Sequence, residues 1–115
     1  MSKRDTILLL KDMLESSNKI KKYTFGLNYS DFLEDDKTID AVVRNFEIIG
    51  EAANRIDEDF RLQNPSIEWT RIRGFRNRII HEYFGIDYEI VWHIIQNYLD
   101  DMIENIEIMI ESNHR

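Results

Sequence analysis

Apolar residues recur along the chain at spacings of three and four, without a sustained alternation of period two, and this predicts helices throughout and no strand. The steadiest series is Ile39, Val42, Phe46, Ile49, Ala53 and Ile56, which marks one face of a second helix without a missed step. Upstream, Ser2 followed by Asp5 resembles a capping box, and Ile7, Leu10, Leu14 and Ile20 carry a first apolar face as far as Gly26, a residue suited to a helix C-terminus. Residues 28–36 read as a linker. Downstream, Asn64-Pro65-Ser66 punctuates the chain: a proline disfavours helix at the residue before it, and Ser66 or Thr70 can cap a third helix that reaches Phe84 and stops at Gly85. Asp87 then caps a fourth helix, whose face is Val91, Ile95, Tyr98, Met102, Ile106 and Met109 and which runs to about Glu111, leaving a frayed tail that holds His114. Four main helices with short connections predict an all-α fold, an antiparallel up-and-down bundle.

Composition narrows the class. A chain of 115 residues fits one domain, residues 1–115, and 43% hydrophobic with 32% charged residues is the balance of a globular protein able to offset its ordering entropy. The absence of cysteine removes disulfides, thiolate metal sites and a thiol nucleophile, and is compatible with a reducing cytoplasm. Ile7-Leu8-Leu9-Leu10 is the longest apolar run, too short for a membrane span or a signal-peptide core. The expectation is a cytoplasmic protein with no membrane partner.

The formal net charge of −7 argues against a general nucleic-acid binder. Its distribution changes that picture. Arg71, Arg73, Arg76 and Arg78 fall within one short segment, no acidic residue occurs from Trp69 to His81, and Asp100, Asp101, Glu104, Glu107 and Glu111 meet no basic residue before Arg115. The chain is electrically polarised, with one segment able to hold phosphates through Arg71, Arg73 and Arg78.

That segment also concentrates the candidate chemistry. Asn77 and His81 are four residues apart and share a helix face, so the amide can orient the imidazole. Arg76 lies five residues before His81, well around the helix, and must curl back or meet a histidine of another subunit. Such a set suits phosphodiester cleavage without metal. An imidazole, with an ordinary pKa near 6.5, can move the proton of a ribose 2′-hydroxyl or of the leaving oxygen. A planar guanidinium matches the charge that gathers on the phosphoryl oxygens, the role expected of Arg76. On chemistry alone a salt-bridged helix surface is the commoner use of these residue types.

The sequence around the segment resembles the HEPN superfamily and, within it, the HepT-like branch. HEPN proteins carry an Arg, a polar residue, three others and a His; the branch extends this to an Arg-x4-6-His-x-Tyr form. Arg76-Asn77-Arg78-Ile79-Ile80-His81-Glu82-Tyr83 satisfies both. Arg44-Asn45-Phe46-Glu47-Ile48-Ile49-Gly50-Glu51-Ala52-Ala53, Trp69 and Tyr83-Phe84-Gly85-Ile86-Asp87 are similar to the same branch, so the likeness spans nearly the whole chain. The resemblance implies a homodimer in which two copies of the motif line one cleft, helix three facing its partner. It further implies endoribonuclease activity on cellular RNA that arrests growth, and a toxin–antitoxin pairing with a nucleotidyltransferase of the MntA type that silences the toxin by transferring AMP to Tyr83. No cofactor is implied. The rival reading is a non-catalytic HEPN module that binds nucleotide or RNA, or scaffolds the nucleotidyltransferase.

Other residues carry weaker signals. Glu47 and Glu51 could act as a carboxylate pair, but salt bridges to neighbouring arginines are the commoner use. No second histidine stands at metal-ligand spacing near His81, since His93 falls on the following helix. Trp69, Phe75 and Trp92 could stack on bases, with core or dimer packing the expected use. Gly50, inside the strongest helix, costs about 1 kcal/mol relative to alanine, which points to close helix packing.

Overall fold

The structure, a computed structural model, describes residues 1–113 with the exception of the Tyr83 side chain. His114, expected in the tail, and Arg115 lie outside the described residues. Among the described residues the chain is all-α: α1 (Lys3–Thr24), α2 (Tyr29–Leu33), α3 (Asp36–Arg55), α4 (Glu58–Gln63), α5 (Trp69–His81), α6 (Tyr88–Asn97) and α7 (Leu99–Asn113).

α1 starts where the sequence reading puts it, with Ser2 and Asp5 forming a reciprocal capping box. It ends at Thr24, one residue before the Phe25 cap, and Gly26 makes the turn at φ +78°, a conformation that costs glycine nothing. Its buried face is less apolar than the sequence reading expects: Leu9, Leu10, Met13 and Ile20 are joined by Thr6, Ser16, Ser17 and Thr24. Two of these hydroxyls are satisfied by their own helix, Ser17 donating to the Met13 carbonyl at 2.7 Å and Thr24 to that of Ile20 at 2.8 Å. Burying them therefore leaves no orphan donor.

α3 buries the whole predicted series Ile39, Val42, Phe46, Ile49, Ala53 and Ile56. α1 packs along α3 on one side and α7 on the other, while α5 packs on α3. Two ion pairs show the directions. The N-terminal amine of Met1 meets Asp57, just past the end of α3, at 3.5 Å, and Lys21 meets Asp100, at the start of α7, at 2.9 Å. α1 is thus antiparallel to both neighbours, as an up-and-down bundle requires.

Four boundaries differ from the sequence reading. The linker holds a helical turn, α2, whose N-cap Asn28 exchanges hydrogen bonds with Asp31 and whose Phe32 is buried against Trp92. A second short helix, α4, precedes Pro65. α5 begins after Glu68 rather than at a Ser66 or Thr70 cap, because burying both Ile67 and Trp69 sets where the helix enters the core. It ends at His81 rather than Phe84: beyond Ile79 it buries nothing, so packing no longer rewards further turns, and Tyr83–Gly85 close as a 3-10 turn.

The fourth predicted helix is two. α6 ends at Asn97, whose side-chain amide donates to the His93 carbonyl at 3.0 Å, and after the cap residue Tyr98 the chain continues as α7. The break moves the buried face from Tyr98 and Met102 to Leu99 and Ile103.

Candidate functional site

α5 carries its functional side chains on two flanks because only one stripe of it, Trp69, Ile72, Phe75 and Ile79, enters or borders the core. Trp69 is buried with its indole N–H donating to the Asn64 carbonyl at 2.9 Å. Phe75 meets Phe46 of α3 edge-on at 5.3 Å, and Trp92 packs on Phe32 and Tyr29 at 5.1 and 6.2 Å. These aromatics serve packing.

Asn77 and His81 stand exposed on the outer flank. Arg76 turns inward to α3, where its Nη2 donates to Glu51 Oε2 at 2.6 Å. Its Nη1 donates to Asn77 Oδ1 at 3.3 Å. The structure therefore joins Arg76 to Asn77, but the Asn77 carbonyl faces the guanidinium rather than orienting the imidazole as expected. Among the described residues the His81 side chain forms no hydrogen bond or ion pair, and it is exposed at the last turn of α5. Within one chain Arg76 is not curled back toward it.

The cationic segment is less bare than its sequence reads. The acids immediately outside it reach in: Glu68 pairs with Arg71 at 3.3 Å and Glu82 with Arg78 at 3.4 Å, both exposed. Such pairs are worth about 0–1 kcal/mol and yield readily to a phosphate. Arg73 is held differently, its Nε donating to Asn54 of α3 at 2.5 Å in a partly buried bond. Glu47 pairs with Arg44 at 3.2 Å, so Glu47 and Glu51 serve separate arginines rather than forming a carboxylate pair. Asn54 was not singled out by sequence reasoning; its only signal is a position one turn past Gly50 on the face that meets α5. The Tyr83 side chain lies outside the described residues. Among the described residues no three His, Asp or Glu side chains converge as a metal site would require.

A cavity lies elsewhere. A groove of about 740 Å³ runs between α5 and α6–α7, floored by Ile49, Ile72, Phe75 and Met102 and rimmed by Glu68, Asp101 and Glu104 as well as Arg71. Arg76, Asn77 and His81 do not line it. An apolar floor with three acids at the rim is poorly suited to a polyanion, so the exposed motif face is the better candidate for phosphodiester chemistry.

Fold and motif together define a small all-α domain of the HEPN type. The sequence profile of the family described as Ribonuclease HepT-like matches residues 13–109, and the chain belongs to that family. It is 40% identical over 109 residues to "Putative RNase MJ1380" of Methanocaldococcus jannaschii, covering 95% of this chain and all of that one. It is likewise 40% identical over 111 residues to "Putative RNase MJ0127" of the same organism, covering 96% and 92%. With "Probable ribonuclease HepT" of Thermococcus cleftensis it shares 39% identity over 87 residues, 76% of this chain and 79% of that one. No solved structure matches. No helix among the described residues is long and apolar enough to cross a membrane.

Proposed function

We propose that this protein is a metal-independent endoribonuclease, the toxin of a toxin–antitoxin pair, acting as a homodimer through Arg76, Asn77 and His81. The observation that carries the reading is that one helix holds both an exposed His81, whose side chain has no bond among the described residues, and a guanidinium fixed in place, on different flanks. A neutral imidazole takes the proton of the ribose 2′-hydroxyl as its oxygen attacks phosphorus. The bond to the 5′-oxygen breaks, that oxygen takes a proton from an imidazolium, and a 2′,3′-cyclic phosphate and a 5′-hydroxyl result. Arg76, with Asn77 beside it, receives the charge gathering on the phosphoryl oxygens.

Dimerisation fits the placement of the groups. Arg76 and His81 occupy different flanks of α5, so a second copy can bring its histidine to the first copy's arginine, and Ile80 and Phe84 expose apolar surface beside the motif for such a copy to cover. Exposed Arg71 and Arg78 extend the phosphate track, and Arg73 lies on its inner side. Regulation follows the family resemblance: an MntA-like nucleotidyltransferase transfers AMP to Tyr83.

The deciding experiment incubates purified, unmodified protein with cellular RNA in EDTA and maps the ends. Cleavage with cyclic phosphate ends, lost in His81→Ala, is expected. An intact substrate with wild-type protein would favour the non-catalytic module.

A further inference from the structure

We infer that Gly50 and Glu51, consecutive on α3, form a seat that sets the position of the Arg76 guanidinium and are positioning residues for RNA cleavage. The inference rests on the reading of Arg76 as the phosphate-binding arginine. Gly50 is buried, and a β-carbon there would overlap the Arg76 Cβ, stand 2.6 Å from its Cγ and come within 3.3 Å of the Ile72 carbonyl. Those atoms belong to the root of the side chain and to backbone, which cannot step aside without moving α5. Glycine is therefore what lets α5 approach α3 closely enough for the Arg76 stem to lie flat across the helix.

The next residue fixes the other end. Glu51 Oε2 takes a hydrogen bond from Nη2 at 2.6 Å, and the Arg76 side chain is 24% exposed where Arg71 is 71% and Arg78 62%. Its Nε is buried with no partner among the described residues, so the stem is held by packing against Gly50 and the fork by its bonded edge, to Glu51 from Nη2 and to Asn77 from Nη1. The remaining N–H groups of Nη1 and Nη2 are directed by that grip. A charged pair this short confers direction as well as attraction. An arginine otherwise loses substantial rotamer freedom on meeting a phosphate; here that ordering is completed on folding, before RNA arrives.

The test is a double-mutant cycle on RNA cleavage under single-turnover and steady-state conditions. Glu51→Gln should lower kcat by about tenfold to a hundredfold with KM changed by less than about threefold, the effect of a misplaced catalytic partner rather than of lost substrate binding. In an Arg76→Ala background, already severely impaired, Glu51→Gln should cost nothing further, because its effect passes through the arginine. Gly50→Ala should show the same non-additivity, with circular dichroism monitoring the fold. A readout independent of activity is the Arg76 Nε–H signal in ¹⁵N spectra, slowly exchanging in the wild type and fast in Glu51→Gln. Unchanged or raised turnover of Glu51→Gln, or a loss that adds to that of Arg76→Ala, would overturn the seat while leaving Arg76 in its role. Full activity of Arg76→Ala would instead remove the reading on which the seat rests.

Discussion

Asn54 Oδ1 accepts a 2.5 Å hydrogen bond from Arg73 Nε, one helical turn along from the contact between Glu51 and Arg76. As the number rises on α3 it falls on α5, so the two bonds are successive rungs between antiparallel helices. α5 is laced to α3 through two of its arginines, while Arg71 and Arg78 face solvent. The four arginines thus divide into a pair anchored to α3, Arg73 and Arg76, and a solvent-facing pair, Arg71 and Arg78.

That division predicts unequal responses to salt. Arg71→Ala and Arg78→Ala should each flatten the slope of log affinity for single-stranded RNA against log salt by about 0.7, one released counterion apiece. Arg73→Ala should change the slope little and instead lower stability by about 1.5–3 kcal/mol, the range for a hydrogen bond to a charged group. Filter binding across salt concentrations, with urea unfolding alongside, separates the two. An Arg73→Ala slope as shallow as that of Arg71→Ala would place Arg73 among the phosphate contacts.

The apolar anchor of the motif helix gives a second prediction. Ile79 is the sole buried side chain in the C-terminal half of α5 and is almost wholly enclosed. Ile79→Ala should cost about 2–5 kcal/mol and should raise amide exchange first in the last two turns of α5. Exchange that rises uniformly along the chain would show that α5 does not loosen on its own.

The helix pattern was most legible around α3, where every position of the predicted apolar series is buried. It was less legible where polar atoms take part. Ser17 and Thr24 are buried because each hydroxyl finds a carbonyl in its own helix, which periodicity does not register. The break at Tyr98 coincides with no proline or glycine, and apolar spacing does not register it. At the site, spacing placed Asn77 and His81 on one face. The direction of Arg76 depends instead on Gly50 and Glu51, far away in sequence, and a single helix wheel cannot show it.

Acid should reveal the cap of α3. The Asp35 carboxyl is held below the ordinary carboxylate value of 3.8, chiefly by the Thr38 hydroxyl at 2.7 Å and then by the Thr38 backbone N–H at 3.1 Å. Folding therefore favours the ionised form. Its stabilisation is complete above the unfolded carboxylate value and disappears as pH falls through the lower folded one. Asp35→Asn keeps an oxygen for the cap but has no charge to lose. Wild type should be the more stable at neutral pH, and the gap should close in acid, measured by urea unfolding from pH 7 to about pH 2.5. A gap independent of pH would show that the charge is immaterial to this cap.

His81 and Tyr83 give the last prediction. The His81 side chain is exposed and makes no bond among the described residues, so His81→Ala should abolish RNA cleavage and growth arrest while stability stays within about 0.5 kcal/mol of wild type. Tyr83 follows in the 3-10 turn that succeeds α5, two residues further along the chain. Its phenolic oxygen, attacking the α-phosphorus of ATP in a nucleotidyltransferase, would lose its proton, gain AMP and release pyrophosphate. An added phosphate would bring negative charge to the arginine-rich motif segment and compete for guanidinium that RNA needs, while the adenosine would add bulk there. Mass spectrometry after co-expression should find AMP on the peptide containing Tyr83, with cleavage lost in proportion to occupancy. Tyr83→Phe should stay toxic and escape the partner. Were it toxic yet still neutralised, silencing would proceed by steric covering of the motif face, and Tyr83 would not be the acceptor.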